Sequence, residues 1–307
     1  MRVRILGSAA GGGLPQWNCR CANCQAARAD SPNVQPRTQS SVAVSADGRA
    51  WYLLNVSADV RQQIVSCPDL VPPTQALRGT RIAGCVLTDA EIDHTSGLLQ
   101  LREGCTFGIF STAFVHQCLT RYLPIETVLA GFADRPWTEI PLGDAIRLPL
   151  PDGDFSGLTI RAFETGRDAA RYLPDQTGEA AGAVIGLQIE DFNTGGVLVY
   201  APGLQQLTRS LAEAAQSADG ILIDGTFWTD DEPVNMGIGH RTARQMGHIP
   251  VSGSEGSLGW LAGLPARHRV YIHMNNTNPM LNNIGPQRQQ VTRHGVQVGM
   301  DGDVFEL

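Results

Sequence analysis

The 307-residue sequence contains no lysine; all 23 of its basic side chains are arginines. That absence removes Schiff-base and pyridoxal-phosphate chemistry and the Walker-type phosphate loop, each of which needs a lysine ammonium. Charge is sparse, at 17% of residues, and the 30 acidic residues leave a formal net charge of −7. Affinity for a nucleic-acid backbone comes from clustered cations, so no nucleic-acid partner is expected. No stretch approaches the ~20 uninterrupted apolar residues of a membrane span. The opening MRVRILGSAAGGG holds too short an apolar run for a signal-peptide core. A cytoplasmic protein without membrane insertion is the expectation. Seven cysteines, an odd number, make a poor disulfide framework there and are expected as buried thiols or metal ligands.

What is present is 42% hydrophobic with 34 glycines and 18 prolines, the composition of a loop-rich globular chain rather than a disordered tail or coiled coil. Apolar runs predict strands over 2–6, over 41–56 with a turn at Asp47-Gly48, and over 81–88, 107–111, 158–163, 183–189, 196–200, 220–224, 270–273 and 296–298. Helices are predicted from His94 and over 112–123, 204–217, 241–246, 256–262 and 286–294. With no repeat, linker or low-complexity stretch, this reads as one layered α/β domain spanning 1–307, with an insert around 120–150.

Two clusters carry metal chemistry. Cys19, Cys21 and Cys24 place three thiols within six residues, a density that suits a structural zinc lacking one remote ligand. His240, in a glycine-bounded loop, is the candidate fourth ligand; His116, His268 and His294 lie in or beside helix-like segments and read as surface or packing residues, as does His248 before Ile-Pro. The second cluster, Asp89-Ala90-Glu91-Ile92-Asp93-His94, crowds three carboxylates and a histidine onto one strand-to-helix loop, which a bound cation would compensate. His273 ends a late strand. Asp93, His94 and His273 would form the one-carboxylate, two-imidazole set that leaves open positions on Fe(II), and the same three suit zinc with one water. Asp224, ending the strand in ILIDGTFW, is either a supporting carboxylate or a turn residue. The glycines of 7–13 lack dinucleotide-loop order, and neither G-x-S-x-G nor H-E-x-x-H occurs.

The run from GSAAGGGLPQWNCRCANC through TDAEIDHTSGL, ILIDGTFW and MGIGHR to YIHMNNTNPML resembles the metallo-β-lactamase superfamily, and within it the branch that serves biosynthesis of the quinone cofactor pyrroloquinoline quinone (PQQ). The resemblance implies an α/β fold, a four-layered αββα sandwich with metals at one edge. A related cyclic phosphodiesterase completes its cysteine site with a histidine near the position of His240. The departures bear on activity. The superfamily's H-x-H-x-D-H reads D-x-E-x-D-H here, Asn55 stands near an expected aspartate, Ala201-Pro202-Gly203 lies where a bridging aspartate is expected, and no histidine falls between His116 and His240. A two-metal hydrolase needs both clamps, and only one convincing position remains. The resemblance therefore implies Fe2+- and O2-dependent hydroxylation of a tyrosine-derived PQQ precursor. Asp93, His94 and His273 would be the active-site metal ligands, with Asp89, Glu91 and Asp224 as catalytic or water-orienting carboxylates. Zn2+ would be structural at the cysteines and able to fill the active site in purified samples. Other PQQ-pathway proteins would be partners. A carrier or accessory protein for PQQ or its precursor, and a metal-dependent hydrolase, are the alternatives.

Overall fold

The computed structural model describes residues 1–74, 77–173 and 181–307. Among these the strands are β1 (Arg2–Gly7), β2 (Ser41–Ser45), β3 (Trp51–Leu54), β4 (Ile82–Val86), β5 (Gly108–Ser111), β6 (Trp137–Glu139) and β7 (Ala145–Pro149). They continue as β8 (Phe155–Glu164), β9 (Ile185–Asp191), β10 (Val197–Ala201), β11 (Gly220–Asp224), β12 (His268–Ile272), β13 (Gln297–Val298) and β14 (Val304–Glu306). The α-helices are α1 (Ala22–Arg28), α2 (Val60–Ser66), α3 (Ile92–Thr95), α4 (Ala113–Gln117), α5 (Ile125–Leu129), α6 (Arg209–Ala215), α7 (Glu232–Asn235), α8 (Ser257–Ala262) and α9 (Pro286–Arg293).

The strands form two seven-stranded mixed sheets, ordered β14-β1-β2-β3-β4-β5-β6 and β13-β12-β11-β10-β9-β8-β7. The central strands are apolar and buried on both faces, as expected when each sheet is covered on both sides. One core cluster, with Val44, Tyr52, Val86, Leu187, Tyr200 and Ile272 among its members, lies between the sheets. A second cluster packs α6, α8 and α9 onto the outer face of the β10–β12 sheet, and a third packs α2, α4 and α5 onto the outer face of β3–β5. The layers are therefore helix, sheet, sheet, helix, the α/β sandwich expected. No helix among the described residues is long and apolar enough to cross a membrane.

β3 through β6 run parallel, as do β10 through β13. Loops at the carboxyl ends of such strands are where α/β sheets place ligands. Here the two sheets meet at that edge: the Ile185 N–H donates to the Thr88 carbonyl at 2.9 Å, and Ala9 bridges to Met274. The Asp47-Gly48 turn is present, with the Asp47 carboxylate accepting from the Arg49 and Ala50 N–H groups. The 120–150 segment, expected as an insert, supplies β6 and β7, one edge strand for each sheet. Three helices are shorter than predicted. Helix 204–217 contracts to α6 because Thr208 caps it, accepting from the Leu211 N–H. Helix 112–123 becomes α4 followed by a π-helical turn over Cys118–Tyr122, and 241–246 keeps only a 3-10 turn over Arg244–Met246.

Gly97 fixes the loop of Asp89 to His94 to this frame. The Val56 N–H donates to the His94 carbonyl at 2.7 Å and the Gly97 N–H to the Val56 carbonyl at 3.0 Å. A Cβ on Gly97 would lie 1.9 Å from the Ser57 carbonyl oxygen, a backbone atom that cannot step aside. Gly97→Ala is expected to cost about 3 kcal/mol of stability through overpacking, read as a lower urea midpoint; an unchanged midpoint would refute this packing account.

Candidate metal centre

The β4 strand ends in a buried polar turn. Asn55 closes it from β3, accepting from the Thr88 N–H at 2.9 Å and donating to the Thr88 hydroxyl at 2.8 Å. Asp89 follows, buried, and accepts from the Glu91 N–H at 2.9 Å. Both of its carboxylate oxygens lie 2.8 Å from His94 Nδ1. Burial opposes charge on both partners. His94 and Arg167 nevertheless hold the Asp89 carboxyl down at about 2, and Asp89 with Asp93 holds the His94 imidazolium up at about 9. The pair orients the ring, so that His94 Nε2, buried and with no hydrogen-bond partner among the described residues, faces away from Asp89.

Asp93, His94 and His273 bring one ligand atom each within 4.8 Å of one another. His273 Nε2 lies 3.4 Å from Asp93 Oδ2, and the two imidazole centroids are 5.0 Å apart. His273 sits at φ 55°, a left-handed conformation that turns the chain sharply at the end of β12. A Cβ on Gly11 would approach Asp93 Oδ2 to 3.0 Å, so the glycine keeps that side of the carboxylate open. A buried, unpartnered imidazole nitrogen beside a carboxylate and a second imidazole is a donor set that fits a divalent cation.

Behind His273 lies a second polar network. The Thr226 hydroxyl is 2.9 Å from His273 Nδ1, 3.1 Å from His248 Nδ1 and 2.6 Å from Asp224 Oδ1. Asp224, fully buried, also accepts from the Leu204 N–H and lies 2.5 Å from His248 Nδ1. Burial pushes His248 below its ordinary value despite that aspartate, while His248 and His273 outweigh burial to hold Asp224 below the usual carboxylate range. Asp224, His248 and His273 also have ligand atoms within 4.8 Å of one another. His248, read from the sequence as a packing residue, therefore belongs to the site, its ring stacked at 5.5 Å on His273. Its place between Gly247 and Pro250, in a tightly constrained loop, is the available sequence signal.

These groups open onto a cavity of about 200 Å³ lined by Glu91, Asp93, Arg167, Phe227, His248 and His273, among others. Of the three carboxylates expected to act catalytically, Glu91 lines it, whereas Asp89 and Asp224 sit behind imidazoles. Arg167 Nη2 donates to Glu91 Oε1 at 3.0 Å, and Arg167 Nη1 is buried without a partner among the described residues. Burial raises the Glu91 carboxyl although Arg167 pulls against it. Arg171, Arg241, Phe227 and Met246 line both this cavity and a neighbouring one of about 890 Å³. Arg167 and Arg171 come from a segment that sequence reasoning does not connect to the site.

Cys19, Cys21 and Cys24 gather their sulfurs within 4.8 Å of one another. Backbone N–H groups of Gln16, Cys21 and Cys24 donate to Cys24, Cys19 and Cys21 Sγ at 3.3, 3.4 and 3.4 Å. Burial pushes the Cys24 thiol up to about 11, a cost that a bound cation would remove. His240 lines the larger cavity along with Cys19 and Cys21 but lies on an exposed loop, outside the group of mutually close ligand atoms. The glycine-bounded loop does not carry it to the thiols.

The chain matches a family model described as a beta-lactamase superfamily domain over residues 50–274. It is 44% identical to the coenzyme PQQ synthesis protein B of Ectopseudomonas mendocina, with 98% of each chain covered. With the protein of the same description from Klebsiella pneumoniae it shares 43%, over 100% of this chain and 98% of the relative. A crystal structure of Zn2+-bound PqqB from Methylobacterium extorquens superposes over all of both chains with a TM-score of 0.91 at 38% identity.

If Asp89 orients His94, Asp89→Asn should weaken metal affinity at the Asp93–His94–His273 centre about 10–100-fold, the usual effect of removing a carboxylate behind a histidine ligand. Competition against a chelator measures this, and unaltered affinity would remove Asp89 from the centre.

Proposed function

The chain belongs to the coenzyme PQQ synthesis protein B family within the beta-lactamase superfamily, and from that membership we propose that it is a cytoplasmic, mononuclear iron enzyme that hydroxylates a tyrosine-derived PQQ precursor with O2. A role in PQQ biosynthesis is the coarser statement that the relatives support. The observation that carries the finer one is the orphaned His94 Nε2 beside Asp93 and His273. Two imidazoles and one carboxylate are the set that leaves adjacent positions open on Fe(II). When bound there, Fe(II) would supply the redox centre for O2 chemistry. In the balanced reaction the phenol ring exchanges a C–H for a C–OH, the second oxygen atom leaves as water, and an external reductant supplies two electrons and two protons.

The surrounding residues have definable tasks in this reading. Asp93, His94 and His273 hold the cation, with Asp89 and the Asp224–Thr226 pair fixing the two rings. Glu91 is the carboxylate on the cavity wall that accepts the phenol proton, its position set by Arg167. His248 is held with Nδ1 on Asp224 and serves as a second proton-handling group. Arg171 and Arg241, without carboxylate partners among the described residues, receive the carboxylates of an amino-acid-derived precursor. Phe227 and Met246 give its ring an apolar wall. The three cysteines hold a structural zinc, a reading supported by their spacing and by the zinc-bound relative. Zinc is also expected to occupy the iron centre in purified samples, because it binds such ligands tightly.

Anaerobic Fe(II) loading followed by O2 and the precursor, with a Zn(II)-loaded control, tests the proposal by product mass. Oxygen incorporation with iron alone is expected, and His273→Ala should abolish iron binding and turnover while leaving the cysteine-bound zinc in place. Retained turnover in that variant would overturn the ligand assignment. Binding of precursor or PQQ with no mass change under either metal would replace the hydroxylase by a carrier. Metal-dependent turnover without added oxygen would indicate a hydrolase.

A second consequence concerns recognition. Arg171→Ala and Arg241→Ala should each raise KM for the precursor about tenfold with little change in kcat, the signature of lost uniform binding; an unchanged KM in both would place the carboxylates elsewhere.

A further inference from the structure

Arg167 stands among the acids of the metal cavity as a built-in positive charge. Its side chain is 9% exposed, and its Nη2 donates to Glu91 Oε1 at 3.0 Å. Two glycines make room for it. A Cβ on Gly203 would lie 2.6 Å from Nη1, and one on Gly247 would lie 2.7 Å from Nε, so a side chain at either place would meet the guanidinium. Gly247, at φ 86°, needs glycine for its backbone as well. Gly203 does not take a left-handed conformation; what its lack of a side chain leaves is space for Arg167. The two loops are joined by the Ile249 N–H, which donates to the Leu204 carbonyl at 2.7 Å.

Burial opposes charge on Glu91, Asp89 and Asp93, and Arg167 pulls against it at all three, as the leading cation at Glu91 and behind the histidines at Asp89 and Asp93. Together with burial, the same guanidinium works against protonation of His94 and His248. Glu91 is in turn bonded to Arg167 and Asp89 to His94, and neither carboxylate belongs to a group of mutually close ligand atoms among the described residues. We infer that Arg167 is a resident cation that takes the place of a second metal ion beside the Asp93–His94–His273 centre and restricts that centre to one ion. The inference rests on the reading that those three residues bind a divalent cation. A guanidinium keeps its charge at any ordinary pH. It balances buried carboxylates as a metal ion would, yet offers no coordination position, so every open position belongs to the single ion. It also keeps a further cation away, because repulsion between like charges is strong in a poorly solvated site.

Counting Mn(II) bound to the full-length protein, from the EPR signal of the ion left free, tests this. Mn(II) favours carboxylate over thiolate ligands, which leaves the cysteines out of the count. The parent is expected to hold one ion. Arg167→Met and Arg167→Gln, which remove the charge, should each bind a second, doubling the count. Arg167→Gln retains an amide donor for Glu91 and decides the matter where Arg167→Met does not fold. Arg167→Lys, which keeps the charge, should hold one ion, and adding Glu91→Gln to Arg167→Met should return the count to one. One ion in the folded uncharged variants, or two in the parent or in Arg167→Lys, would overturn the inference. A parent that binds none would instead refute the metal centre itself, and the inference with it.

Discussion

The contact between Asp89 and His94 is the constraint on which the centre depends. An imidazole has two nitrogens, and only a fixed partner on one decides which way the other points. Both carboxylate oxygens of Asp89 lie 2.8 Å from Nδ1 in a buried setting, so the ring has one orientation. Its Nε2 must then face Asp93 and His273. On the proposed reading, an aspartate in place of the superfamily's histidine at this point of the loop would exchange a ligand for the group that aims a ligand, removing one metal position while defining the other.

His273 is treated the same way from the opposite sheet. Its Nδ1 meets the Thr226 hydroxyl, which is itself bound to Asp224, leaving Nε2 toward Asp93. Each sheet thus contributes a buried carboxylate that acts through an imidazole, and the two imidazoles converge where the parallel strands end. The sandwich matters for function because it sets the separation of those two strand ends. The contacts that join the sheets there, Ile185 to Thr88 and Ala9 to Met274, lie beside the residues that must not move.

Much of this was legible in the sequence, for local reasons. Asp93 and His94 are adjacent, the cysteines fall within six residues, and His273 closes an apolar strand; each signal is contained in a short window. Arg167 carries no such signal and His248 only its place between Gly247 and Pro250, because their partners are far away in the chain and only the fold brings them in. His240 marks the complementary limit: flanking glycines permit a long reach, and the side chain lines the same cavity as Cys19 and Cys21 while lying outside the group of mutually close ligand atoms. The β6 and β7 strands escape sequence reading because edge strands are short and half-exposed, so neither burial nor alternation marks them. Helix α6 starts late because the Thr208 side chain accepts from the Leu211 N–H, a group that a helix running from 204 would have paired with a carbonyl four residues earlier.

If the cavity takes the proposed metal and precursor, its charge balance couples the two binding events. Glu91 and Asp93 on its wall, with Asp89 and Asp224 behind the imidazoles, place four carboxyl groups around one small space, and Arg167 is the guanidinium bonded to one of them. Arg167, with Arg171 and Arg241 in the same lining, offsets much of that acid, so little net charge is left to draw in an anionic precursor. On the proposed reading, a divalent cation held by Asp93, His94 and His273 would make the cavity net positive and add to the pull of Arg171 and Arg241 on an anionic precursor. Under the proposed function, a precursor bearing several carboxylates would bind more tightly to the metal-loaded protein, with its phenol ring beside the open coordination positions. The acidic loop that looks like an eroded hydrolase motif would in this way act as a gate for substrate charge, set by the metal that the same loop binds.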